Sequence, residues 1–191
     1  MQTLKEKLAI LMIIVIGGIG GPQPQSARDK LQPLVETSAR RLAIAKQVAL
    51  AKWDSQAPVE DAAREARVIA TAIRAGESRG LAPVEVSNFF TAQIEANKLV
   101  QRSLLAQWRR AGKAPPHTGA NLVSAVRAEL DQLETALIVE LADTADIRAS
   151  AACPAETAKA IEKYLAGHKV EAGALQAIAL NRARAATCTY E

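Results

Sequence analysis

From Val84 to Ala111 the chain carries neither glycine nor proline, and Val86, Phe90, Ile94, Leu104, Leu105 and Trp108 recur there at helical spacing. Such a pattern cannot alternate between the two faces of a sheet. It predicts one long helix, opened by Pro83, which suits a first helical turn, and stopped by Gly112 and the Pro115-Pro116 pair. Composition extends the argument to the whole chain. Of 191 residues 40 are alanine and only six are aromatic, so the β-branched and aromatic excess of a sandwich or barrel is missing and the fold class is all-α. Further helices are expected from about Leu34 to Ser55, from near Pro58 to about Gly80, from roughly Gly119 to Thr144, and in two shorter pieces, Ala155 to Ala166 and Val170 to Thr187. There is no internal repeat.

The fractions of hydrophobic and charged residues, 49% and 23%, exclude a disordered or multi-span membrane chain. The net charge of +4 is too small to point to nucleic acid. At the N-terminus Lys5 and Lys7 precede an uncharged apolar run from Leu8 to Ile19, followed by glycines and prolines, which is the layout of a secretory leader. That run would cover about 18 Å of a hydrocarbon core about 30 Å thick, so it is short for a membrane span. A leader over residues 1–20 is expected, with Gly18 and Gly20 before the cut and Ala27 as another cleavage site. A single helical domain over 28–191 would follow. Cys153 and Cys188 fit one disulfide clamping a C-terminal helical pair in an oxidising compartment, two buried free thiols being the alternative. No Cys/His spacing suggests a metal site.

The polar residues that interrupt the apolar stripes carry more information. Leu34, Ser38, Arg41, Ala45, Val48 and Lys52 share one helix face, which turns Arg41 and Lys52 inward, about 16.5 Å apart along the axis. Inward cations need anions, because a buried unpaired charge costs several kcal/mol. In the long helix the stripe Val86, Phe90, Gln93, Asn97, Gln101, Leu104, Trp108 is polar at its middle, with Asn97 and Gln101 one turn apart. Asp61, Arg64 and Glu65 cluster at the start of another helix. Each alone reads as a solvated or internally paired side chain; together they are less easily dismissed.

Arg41-Leu42, Ala51-Lys52-Trp53, Pro58-Val59-Glu60-Asp61, Arg64-Glu65, and Asn97 four residues before Gln101 resemble the all-helical chorismate mutases. The leader, Arg127 and the Cys153/Cys188 pair resemble the secreted, periplasmic subclass of that family. The likeness implies a helical bundle with a C-terminal helical pair, a complete site within each subunit, a homodimer, and rearrangement of chorismate to prephenate without metal or cofactor. It implies that Lys52 and Gln101 donate to the ether oxygen and that Arg41 and Arg127 clamp carboxylates with Asn97 as an auxiliary donor. Arg64 would support the carboxylate region, and Glu65, with the backbone near Asp61, would accept from the ring hydroxyl. Two positions depart from the pattern: Asn97 stands where relatives often have Ser or Thr, and Val68 where some secreted members have Gln.

Such a pericyclic step needs no nucleophile or general base, only a held conformer and donors aimed at charge developing on the ether oxygen. An isochorismate-pyruvate lyase on the same fold would use a similar pocket. In a non-catalytic secreted helical protein, Arg41 and Lys52 would instead pair with carboxylates such as Glu65 and Asp131. Trp53 and Trp108 read as packing aromatics, and His117 and His168 as loop residues without a role.

Overall fold

The computed structural model describes residues 26–117, 122–168 and 173–189; the expected leader over 1–20 lies outside them. Within the described residues the chain is helical throughout, in the order α1 (Ala27–Ala43), α2 (Ala45–Ser55), α3 (Ala62–Glu77), α4 (Pro83–Ala111), α5 (Leu122–Asp143), α6 (Ala145–Arg148), α7 (Cys153–Gly167) and α8 (Ala174–Ala183), closed by a 3-10 turn at Arg184–Ala186. The all-α expectation and the long uninterrupted α4 are both borne out.

The first expected helix differs at its start and in its middle. It begins at Ala27, seven residues before Leu34, because Ser26 caps it by accepting from the Asp29 amide at 3.2 Å. Pro33 therefore lies inside a helix. Its missing N–H is offset by tertiary anchors on the first turns: Leu31 is fully buried, and Asp29 pairs with Lys163 of α7 at 2.9 Å. The same helix is divided at Ile44 into α1 and α2. Beside that break the Arg41 carbonyl accepts from Asn97 Nδ2 at 3.0 Å, a side chain entering the backbone ladder.

The second helix starts at Ala62 instead of near Pro58, because Asp61 and Glu65 close a reciprocal cap. Asp61 Oδ1 accepts from the Arg64 amide at 3.0 Å, and Glu65 Oε1 accepts from the Asp61 amide at 3.2 Å. Helix α3 leans on α4 through small residues. Ala72 is fully buried, and a Cβ on Gly76 would come within 2.7 Å of Val86 Cγ2, so only glycine permits this approach. Gly80 then turns the chain with φ of 79° into α4.

Two layers of apolar contact surround α4. The larger core joins Leu31, Leu34 and Leu42 of α1, Phe89, Phe90 and Val100 of α4, Leu137 and Leu141 of α5, Ile161 of α7 and Leu180 of α8. Farther along, Ala49 and Leu50 of α2 pack on Leu105 and Trp108, and Trp53 meets Trp108 edge to face at 6.2 Å, as packing aromatics do. Gln93 belongs to the core, not to a site: its Nε2 donates to Ser38 Oγ at 3.0 Å. Cys153 and Cys188 are joined by a disulfide, with their Cα atoms 5.8 Å apart.

Candidate active site

The stripes converge. A cavity of about 320 Å³ opens between α1, α2, α3, α4 and α5, and Arg41, Lys52, Asp61, Arg64, Glu65, Asn97, Gln101 and Arg127 all line it. Every one comes from a single chain, although they span 87 sequence positions from 41 to 127. Its apolar wall is Val48, Val68, Ile94, Val126 and Leu130, which lowers the local dielectric and strengthens every charge inside.

Arg41 is 7% exposed, and among the described residues its Nε and Nη1 have no hydrogen-bond partner. Burial pushes its pKa down to about 10, Glu134 pulls it up, and the positive charge of Arg64 pushes it down. A guanidinium held this way is a donor pair without an acceptor, which is what an incoming carboxylate requires. Half-buried Lys52 reaches the pocket from the last turn of α2, where its Nζ donates to the Val59 carbonyl at 2.5 Å. Burial lowers its pKa against the opposing pull of Asp61, Glu60 and Glu65.

The two amides form a directed chain. Asn97 spends an N–H on the Arg41 carbonyl, so its oxygen must turn to Gln101, whose Nε2 donates to it at 2.6 Å. Gln101 keeps its second amide hydrogen, while its Oε1 is buried without a partner. Asn97 thus ties the amide donor to the backbone carrying Arg41.

Lys98 and Glu134 line the same cavity, and sequence reasoning passed over both. Lys98 is 9% exposed, its ammonium held by Glu65 at 3.0 Å and Glu95 at 2.5 Å. Burial works to lower its pKa, but those two carboxylates outweigh it and hold the pKa above the usual lysine value. Glu65 is therefore fixed from two sides, by Lys98 and by the Asp61 amide. Glu134 follows Leu130 by four positions and Arg127 by seven, so the helical period places it on the pocket face of α5; a stripe traced on the leucines steps past it. Burial raises its carboxyl pKa, opposed by Arg41 and reinforced by Asp131.

Among the described residues neither inward cation closes an ion pair, although Arg41 feels the charge of Glu134 and Lys52 those of Asp61, Glu60 and Glu65. Glu65 pairs with Lys98 and with neither Arg41 nor Lys52, and Lys52 bonds a carbonyl. His117 lies outside the cavity, bonded to Asp54 at 2.8 Å and to the Pro115 carbonyl at 3.0 Å. Among the described residues no cluster of His, Cys, Asp and Glu is suited to a metal ion.

Comparison with known proteins points the same way. Residues 32–102, which hold seven of the eight expected site residues, match the family model described as chorismate mutase type II. The crystal structure of a chorismate mutase from Burkholderia phymatum superposes with a TM-score of 0.80 at 39% identity, covering 86% of this chain and 99% of that one. A second, from Burkholderia thailandensis, gives 0.78 at 32% identity, covering 83% and 99%. A secreted chorismate mutase of Mycolicibacterium smegmatis is 29% identical over 156 residues, 81% of this chain and 86% of its own length. With the fold, the lined cavity and these likenesses together, the chain belongs to the all-helical, type II chorismate mutase family.

Proposed function

We propose that this chain is an exported chorismate mutase that converts chorismate to prephenate by electrostatic and conformational stabilisation alone. The observation that carries the reading is the convergence of Arg41, Lys52, Arg64 and Arg127 on one cavity, with two Arg41 nitrogens unpartnered. Chorismate is a dianion with an enolpyruvyl ether, and its rearrangement breaks a C–O bond and makes a C–C bond in one step. Arg41 and Arg127 receive the carboxylates and hold the compact conformer, supported by Arg64. Lys52 and the free amide hydrogen of Gln101 face the ether oxygen as it gains charge, and Glu65 accepts from the ring hydroxyl. Asn97 orients Gln101 and the Arg41 backbone. A typical enhancement of ~10⁶ requires about 8 kcal/mol, within reach of a few preorganised donors worth roughly 3 to 4 kcal/mol each.

Export is supported by the apolar run behind Lys5 and Lys7, by the disulfide, and by the relative named as secreted. No helix among the described residues is long and apolar enough to cross a membrane. The family likeness supports a homodimer, in which each subunit would hold all eight site residues by itself. The test is incubation of the purified mature chain with chorismate, following loss of its absorbance, with isochorismate in parallel. Prephenate formation from chorismate alone is the expected result. Release of pyruvate from isochorismate, or no turnover of either, would overturn it.

A further inference from the structure

Glu134, like Lys98 and Asp131, is a charged residue of the cavity that the rearrangement does not use, and it stands opposite the unpartnered Arg41. It projects from the middle of α5, its Oε1 is buried without a hydrogen bond, and it faces the buried Arg41, whose Nε and Nη1 are equally unpartnered. A carboxylate in a pocket built to receive two further carboxylates works against its ligand. It has a use while the pocket is empty, since a fully buried guanidinium with no anion nearby is strongly unfavourable. We propose that Glu134 is the counter-charge of Arg41 in the empty site and takes up one proton from solvent when the substrate carboxylate replaces it there, so that dianion binding and protonation of Glu134 are one coupled event. The inference rests on the chorismate mutase reading of the site.

The surroundings set the sign. Sharing a cavity with Glu134 are Arg41 from α1, Lys52 from α2, Arg64, Glu65 and Arg67 from α3 with Asp61 at its cap, Lys98 from α4, and Arg127 and Asp131 on α5 itself. In the empty cavity burial and Asp131 push its pKa above the usual carboxyl range, against the opposing pull of Arg41 toward the ionised form. A bound dianion consumes the field of Arg41 and adds two negative charges, both of which push Glu134 toward its protonated form. Affinity should therefore rise as pH falls, and the proton appears on the enzyme, not in the chemistry.

The test is calorimetric titration of the purified chain with prephenate, the product dianion, in two buffers of different ionisation enthalpy at matched pH between about 6 and about 8. The wild type should take up a substantial fraction of one proton per site and bind more tightly at the lower pH. Glu134→Gln should abolish the uptake and bind prephenate about tenfold more tightly at the upper pH, because a like charge has been removed. Glu134→Asp, which keeps the carboxyl, should keep the uptake and guards against a fold defect specific to the amide. Turnover of chorismate without proton uptake by the wild type, or uptake that persists in Glu134→Gln, would overturn the coupling. Absence of both turnover and prephenate heat would instead overturn the reading of the site.

Discussion

Two arginines are buried in this chain to nearly the same degree, Arg41 at 7% and Arg148 at 1% exposure, and their surroundings are opposite. Each nitrogen of the Arg148 guanidinium has a partner. Its Nε donates to the Leu141 carbonyl at 3.2 Å, its Nη1 to the Thr187 carbonyl at 3.2 Å, and its Nη2 pairs with Glu85, so α4, α5 and the C-terminal tail are tied to one side chain. The tail is tied again by the Cys153–Cys188 disulfide and by the Thr189 amide, which donates to the Arg148 carbonyl at 2.9 Å. Arg41 lines a cavity with two nitrogens unused. Burial of a charge is therefore no mark of a site by itself; what separates structure from function is whether the protein has already supplied the acceptors.

The comparison breaks first at the cavity. Lys52→Ala should lose at least ~10³ in kcat/KM with a small change in unfolding midpoint, because it removes a charge aimed at the transition state. A variant within tenfold of wild type would reject Lys52 as the donor to the ether oxygen. Since burial lowers the Lys52 pKa and the donor must be protonated, wild-type activity should decline with rising pH earlier than an ordinary lysine, of pKa about 10.4, would give. At the other arginine the readouts exchange. Arg148→Met should cost about 3 kcal/mol or more in a denaturant titration, because Glu85 loses its partner, while the folded fraction keeps its kcat.

Reduction of Cys153–Cys188 should have a similar but smaller effect. A closed loop of 35 residues contributes up to about 4 kcal/mol in the chain-entropy picture, less where the reduced unfolded chain keeps structure of its own, and kcat should not change at a temperature where the reduced chain stays folded. Mass spectrometry finding two free thiols in exported protein would refute the clamp. The finest test concerns Gln101. Ionised, a Glu at this position presents an acceptor to an oxygen gaining negative charge; protonated, it donates as the amide does. At saturating chorismate, Gln101→Glu should be impaired about 10²-fold near pH 9 and recover toward pH 5, whereas wild-type kcat stays flat across the neutral range. Equal kcat at both ends would remove Gln101 from contact with the ether oxygen.

Helix period and charge placement made much of this molecule legible in one dimension. The stripe through Arg41 and Lys52, and the pair Asn97 and Gln101, followed from which residues interrupt an apolar face, a property set by 3.6 residues per turn. All eight expected residues line one cavity, seven singled out by their place on helix faces and at a helix start and Arg127 only by the family resemblance. Where the reading failed, the competing force was tertiary. The first helix was expected from about Leu34, yet Ser26, Leu31 and the Asp29–Lys163 pair start it at Ala27 and carry it through Pro33. Ile44 gave no warning of a break, because its cause is a side chain from α4, over fifty residues away. The four-residue α6 was too short to leave a periodic signal.

By itself, then, the sequence determined the helical class, the inward cations and the pairing-competent cysteines, since each depends on residue type and local spacing. Only the tertiary structure decided which charges are satisfied. Lys98 could have faced solvent but is held between Glu65 and Glu95, Arg148 could have been a surface cation but has a partner on each guanidinium nitrogen, and Glu134 could have paired with its neighbours but faces Arg41 across an open cavity. Partnership depends on distances between helices far apart in the chain, and no one-dimensional period encodes those distances.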